Sequence, residues 1–296
     1  MVTLSENAMG DAAIVAMHWD RQTPDARASR TRWWESRTIL RHINKVVCGQ
    51  PLEGPSAGFH ALLKQWRPDG YRRAVSVGCG AGYKEAALVL SGMVQNFFLY
   101  EISAERVRQG QEFARSRGIG DRMHFVSADA FEACREQFDL VYWNNALHHM
   151  MDVPAAVSWS RSRLAPKGVF AMDDYVGASR FQWSDYSLDI ASRFREGLDP
   201  AHLRGAPARI TRPSAEKLMS VDPSEAADSA RTIPALKVVF PDIRIIPTGG
   251  AIYHPGLNDI LANIGDESEV LSMALLLDDV MARQGETHYG VAVTAI

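Results

Sequence analysis

The chain has 296 residues, 46 % of them hydrophobic, enough for one large domain with a substantial core. A formal net charge of −3 argues against a strongly basic nucleic-acid surface, and the widely spaced Cys48, Cys79 and Cys134 form no CxxC pair, so no structural zinc is expected. The N-terminus has no basic region followed by an apolar core, and no apolar run approaches the roughly 18–20 residues of a membrane span; the expectation is a soluble, cytoplasmic protein with no membrane partner.

Residues 1–70 read as a helical cap. Within them, 30–47 (RTRWWESRTILRHINKVV) places Trp33, Ile39, Ile43 and Val47 at near-helical spacing, with Trp33 and Trp34 read as core. From residue 71 to 177 the texture changes to short apolar runs separated by helical stretches. These are AVSVGC (74–79), NFFLYE (96–101), RMHFVSAD (122–129), FDLVYWNN (138–145) and GVFAMDDY (168–175). Ser103 and Asp152 cap two of the intervening helices, the second with Pro154 in its first turn. Such alternation predicts a mostly parallel sheet covered on both faces. Residues 178–240 break the alternation and read as a helical insertion over the ligand edge. Residues 241–296 complete the core. They hold a sixth strand (242–250), a helix over 267–283 and a seventh strand (288–296). The helix has Val270, Met273, Ala274, Leu277 and Met281 on one stripe, Asp266 and Glu269 as a capping box and Gly285 as a stop.

Ligands of an open α/β sheet bind beyond the carboxyl ends of the strands. Gly78, Gly80 and Gly82 end the first strand and let the backbone approach a ligand. Glu101 ends the second, at the spacing where an acid accepts hydrogen bonds from ribose hydroxyls, and Asp129 ends the third, where an acid can read an adenine amino group. A pyrophosphate is disfavoured: G-x-G-x-x-G needs a glycine where Tyr83 or Glu85 stands, and an acid in the first helical turn repels phosphate. The loop therefore favours a ligand with a cationic group.

With VSVGCGAG, LYEIS, SADAF, FDLVYWNNALHHMMD and GVFAMDDYVG, the sequence resembles the class I S-adenosylmethionine (SAM)-dependent methyltransferases over residues 70–177, with an echo at 242–296. The resemblance implies a doubly wound, Rossmann-like α/β fold. Its seven-stranded sheet has the order 3-2-1-4-5-7-6, with strand seven antiparallel. The implied cofactor is SAM. Gly78, Gly80 and Gly82 would lie along its methionine part, Glu101 at the ribose, Asp129 and Ala130 beside adenine and Asn144 at the sulfonium end. Ser76 stands where many members carry an acid. Glu85 either takes over part of that role or simply complements the helix dipole.

Candidate catalytic residues are His148, His149, Asp173 and Tyr175, at or beyond strand ends, where a base or a hydrogen-bonding phenol would meet an acceptor. The alternative is that the histidines pack or are solvated and Asp173 binds backbone amides. Arg180 suits either an anionic substrate or the fold, whereas Phe181 and Trp183 read as anchors. No H-x-x-x-H or facial-triad spacing points to a metal, so none is expected. An N/D-P-P-Y/F motif is absent after strand four, where NNAL stands; this again disfavours a nucleic-acid acceptor. The leading expectation is methyl transfer to a small-molecule or metabolite acceptor. Its rivals are an enzyme that transfers or cyclises the aminobutyrate chain of SAM, releasing methylthioadenosine, and a SAM-binding sensor without turnover. The oligomeric state is left open, with a homodimer among the options.

Overall fold

A computed structural model describes residue 15 and residues 32–296. The expectations for the rest of the 1–70 cap and for the N-terminal leader region lie outside the described residues. The strands are β1 (Tyr71–Val77), β2 (Val94–Glu101), β3 (Met123–Ser127), β4 (Phe138–Asn144), β5 (Leu164–Tyr175), β6 (Arg244–Gly249) and β7 (Tyr289–Ala295). They form one sheet in the order β3-β2-β1-β4-β5-β7-β6, as the family resemblance implied. Every neighbouring pair is parallel except the two that involve β7.

The helices of eight or more residues among the described ones are α1 (Arg37–Cys48), α2 (Ala57–Trp66), α3 (Tyr83–Leu90), α4 (Ala104–Ser116), α5 (Val153–Arg163), α6 (Asp185–Glu196), α7 (Thr232–Val239) and α8 (Glu269–Arg283). None is long and apolar enough to cross a membrane. Both sheet faces are covered, which is why the strands read as continuous apolar runs rather than alternating ones. Ala74 and Tyr142 face a cluster that includes Phe59 and Leu62 of α2 and Leu88 of α3. Their chain neighbours Val75 and Trp143 face the opposite cluster, with Val157 of α5 and Leu236 of α7.

Several boundaries depart from the sequence reading. Trp33 lies in a separate 3-10 turn and is buried, whereas Trp34 is exposed; α1 starts at Arg37, with the Ser36 hydroxyl accepting the Ile39 N–H at 3.2 Å. Asp266 does not cap α8. It accepts from the Ser36 hydroxyl and, at 3.3 Å, from the Thr38 N–H, while Ser268 is the cap. The buried stripe of α8 is Leu271, Ala274, Leu275, Asp278 and Met281, with Met273 exposed. Asp278 is inside because it accepts the N–H groups of Gly250 (2.8 Å) and Ile252 (2.6 Å). Two assigned units also merge with the core. α2 covers one sheet face, and α7 packs on α5 and shares its apolar cluster, so the last part of 178–240 belongs to the sheet.

The remainder of that insertion is tied down by buried groups. Arg195 on α6 donates to the carbonyls of Gly256 and Pro207, both at 2.8 Å, and pairs with Asp259. Phe181 and Trp183 stack on one another beside Tyr175 and His288, the anchoring expected of them.

Candidate active site

The parallel register aligns the strand ends: Val77 is level with Tyr100, Glu101 with Ser127 and Asn144 with Asp173. Beyond them lies a cavity of about 720 Å³, within the range of about 300–1,000 Å³ usual for small-molecule sites. Gly78 and Gly80 line it, as do Glu101, Asp129 and Ala130. All three loop glycines have left-handed backbone, with φ of 63°, 56° and 68° at Gly78, Gly80 and Gly82. At Gly80 a Cβ would meet nothing within 4 Å and would project into open space, as a cradle for a ligand requires. Gly82 is different. It is not on the cavity wall, and a Cβ there would press on Phe125 and Met123, so its smallness serves packing against β3.

Glu101 is buried and braces the loop. Its carboxylate accepts the Gly80 N–H at 2.8 Å and the Ser103 N–H at 2.9 Å. Burial raises its pKa, and those amides and Arg106 oppose the rise. Asp129 accepts the Phe131 N–H at 2.8 Å, capping the short turn that carries Ala130.

Glu85 is not on the cavity wall. It lies buried beneath the loop and accepts a hydrogen bond from Ser76 at 2.8 Å, while its second oxygen is buried without a partner. Burial raises its pKa. The displaced acid thus reaches the Ser76 position from α3, as the sequence reading allowed, but does not present itself to the cavity. Lys84 does. Its ammonium donates to the Asn144 carbonyl at 2.7 Å and lines the wall, so the first turn of α3 presents a cation to the cavity rather than the acid from which a preference for a cationic ligand was read.

Asn144 also departs from its assignment. Its side-chain amide donates to the hydroxyls of Ser56 (3.0 Å) and Tyr142 (2.7 Å), and Asn145, at φ 51°, lines the cavity instead. The four catalytic candidates separate in the same way. His149 lines the cavity. His148 is buried behind it, with Nδ1 2.5 Å from Asp174. Asp174 also accepts the N–H groups of Ala146 and Leu147 at 2.9 and 2.7 Å. Burial opposes charge on this pair, but mutual attraction outweighs it, holding the imidazole pKa up and the carboxyl pKa down. Asp173 sits off the wall near Ser56, its pKa pushed up to about 6 chiefly by burial. Tyr175 is buried, donating to the Ala178 carbonyl (2.9 Å) and accepting from the Trp183 indole (3.1 Å), so its hydroxyl is committed to the fold. Arg180 likewise serves the fold, donating to the carbonyl of Glu225 at 3.0 Å.

Lys84, Arg106, Asn145 and Ser224 line the cavity without having been singled out in the sequence. Lys84 was the most accessible of these, two residues past the last loop glycine. Ser224 is brought in by the tertiary fold alone.

Residues 72–204 match a family described as a methyltransferase domain. A ubiquinone biosynthesis O-methyltransferase of Methylococcus capsulatus is 29 % identical over 138 residues, 46 % of this chain and 53 % of that protein. Ribosomal RNA small subunit methyltransferase C of Salmonella paratyphi B is 23 % identical over 146 residues, covering 49 % and 42 %. The chain spans about half the length of these curated relatives. Among solved structures, a geranyl diphosphate methyltransferase in complex with geranyl diphosphate and sinefungin superposes with a TM-score of 0.57 at 12 % identity, over 96 % of this chain and 98 % of that one. The geranyl diphosphate C-methyltransferase from Streptomyces coelicolor A3(2) gives 0.54 at 13 %, over 96 % of each. At such identity the likeness concerns the fold, which is shared along nearly the whole chain. The match to a methyltransferase domain covers residues 72–204, under half of the chain, and the seven-stranded order agrees with it; the cofactor such a domain uses is SAM.

Proposed function

We propose that the protein transfers the methyl group of SAM to a small-molecule acceptor by in-line displacement. The observation that carries this reading is the Glu101–Gly80 bond on the wall of the cavity. It fixes a carboxylate against a side-chain-free loop, with Asp129 at the next strand end. Glu101 accepts from the ribose hydroxyls, Asp129 and Ala130 flank the base, and Gly78 and Gly80 admit the amino-acid chain. Lys84, also on the cavity wall, supplies a cation suited to the carboxylate of that chain. SAM supplies an electrophilic methyl on a sulfonium, so the protein's main task is to align a nucleophile and keep water out.

Of the four catalytic candidates, His149 is the one that faces the cavity, with Nδ1 3.0 Å from the Ser224 hydroxyl. We assign it to the acceptor side, with His148 and Asp174 positioning the turn that carries it. A small acceptor is favoured because the 222–229 segment closes over this turn, the Ala227 N–H donating to the His148 carbonyl at 3.2 Å. The name of the ubiquinone biosynthesis O-methyltransferase agrees with this choice, whereas that of the ribosomal RNA methyltransferase does not, so the site geometry carries it.

The test is turnover of methyl-labelled SAM with the purified protein and a metabolite extract. Label in a small product together with adenosylhomocysteine supports the reading. Methylthioadenosine would instead mark use of the aminobutyrate chain. Binding with no product from any extract marks a sensor, and label appearing only in added ribosomal RNA would refute a small acceptor.

A further inference from the structure

Beside the cavity, two segments distant in sequence bring His148, His149 and Glu225 together. One nitrogen of each ring and a carboxylate oxygen lie within 4.8 Å of one another, and His148 Nε2 is 3.7 Å from Glu225 Oε1. We propose that these three side chains form a binding site for a first-row divalent cation such as zinc, iron(II), cobalt or manganese.

The hydrogen bonds around the rings determine where their lone pairs lie. Asp174 is an acceptor, so His148 Nδ1 carries a hydrogen, and in the neutral ring, the form that binds a cation, the lone pair lies on Nε2. The Ser224 hydroxyl gives its one proton to Asp222 at 2.6 Å, so its oxygen accepts from His149 Nδ1, and that ring too has its lone pair on Nε2. A carboxylate or hydroxyl behind the distal ring nitrogen is the arrangement that orients metal-bound histidines and raises their basicity. Two imidazoles and one carboxylate suit a borderline cation rather than magnesium or calcium, and three protein ligands leave coordination positions for an exogenous oxygen.

Glu225 is held in place rather than hanging from a loose loop. The Arg180 N–H donates to the next residue's carbonyl, Ala226 O, at 2.7 Å, and its guanidinium donates to Glu225 O. Ala226 is fully buried in left-handed backbone at φ 48°, a conformation unfavourable for alanine that the surroundings must enforce. Because His149 and Ser224 line the cavity, a cation here would sit where an acceptor oxygen can reach it. That use, polarising the acceptor oxygen before methyl transfer, rests on the methyltransferase reading; the site itself does not.

The test is cobalt and zinc titration of chelator-treated protein, followed by visible absorption and calorimetry, with adenosylhomocysteine binding measured in parallel. One equivalent is expected, with Glu225→Gln and His149→Gln each weakening it by at least the about 10–100-fold typical of losing even an outer partner. Adenosylhomocysteine binding by the variants reports that they are folded. Absence of stoichiometric cobalt or zinc binding, or binding that both variants retain, overturns the site. If adenosylhomocysteine binds and the cation does not, only this inference falls; if adenosylhomocysteine fails to bind the wild type, the methyltransferase reading falls.

Discussion

Glu101→Gln tests the cofactor assignment most directly. The wild-type carboxylate accepts two backbone N–H groups, from Gly80 and Ser103, and has remaining lone pairs for the ribose. An amide of the same shape keeps one acceptor oxygen and turns an NH2 group toward a donor it cannot satisfy. A hydrogen bond to a charged group contributes about 1.5–3 kcal/mol net. Losing one such bond to the ligand should raise the dissociation constant of SAM or adenosylhomocysteine about 10–100-fold, since about 1.4 kcal/mol is tenfold. Glu101→Ala, which loses both oxygens, should bind more weakly still. Calorimetry with adenosylhomocysteine measures the affinity, and circular dichroism checks that the sheet persists. A folded Glu101→Gln protein that binds within about twofold of wild type would refute the placement of the ribose at β2, because the same principle sets the smallest expected loss near tenfold.

Gly110→Ala in α4 should be destabilising by about 1–3 kcal/mol despite alanine's better helix propensity, because its Cβ would lie 2.4 Å from Phe125 and 2.9 Å from the Ala81 carbonyl; thermal melts measure it, and a stabilised variant would contradict the packing. Arg195→Ala should cost about 1–3 kcal/mol by leaving the carbonyls of Gly256 and Pro207 without their donor, the exposed Asp259 being free to solvate, read from denaturant midpoints. Asp173 has a folded pKa of about 6 against an ordinary 3.8, so its neutral form is favoured in the fold. That contribution is complete below the unfolded pKa and lost as pH rises through the folded one. Wild type should therefore lose about 1–3 kcal/mol relative to Asp173→Asn between about pH 4 and pH 6. Parallel stability curves for the two proteins across that range would rule the effect out.

The strand ends were legible in the sequence because both faces of the sheet are buried. Continuous apolar runs ending in Gly78, Glu101 and Asp129 follow from that burial, and parallel register then brings their ends to one edge. The order of the seven strands was implied by the family resemblance that the motifs at those ends carry, not by the strand pattern itself. Side-chain direction was not legible. Gly82 and Asn144 occupy the expected positions in the chain yet face away from the cavity, while Gly80 and Lys84, two residues from the one, and Asn145, next to the other, line it. Asp278 reads as a polar face of α8, but the 249–253 turn presents it with amide donors, and only packing reveals that. His148 and His149 could be seen as a pair. What surrounds them could not, because Glu225, Ser224 and Asp222 arrive from a segment whose path is set by tertiary contacts with Arg180 and His148. The sequence by itself determined the sheet and the loop that edges it, through local patterns of burial and turn chemistry. The tertiary structure alone decided which of the polar groups face the cavity, because facing depends on contacts between residues far apart in the chain.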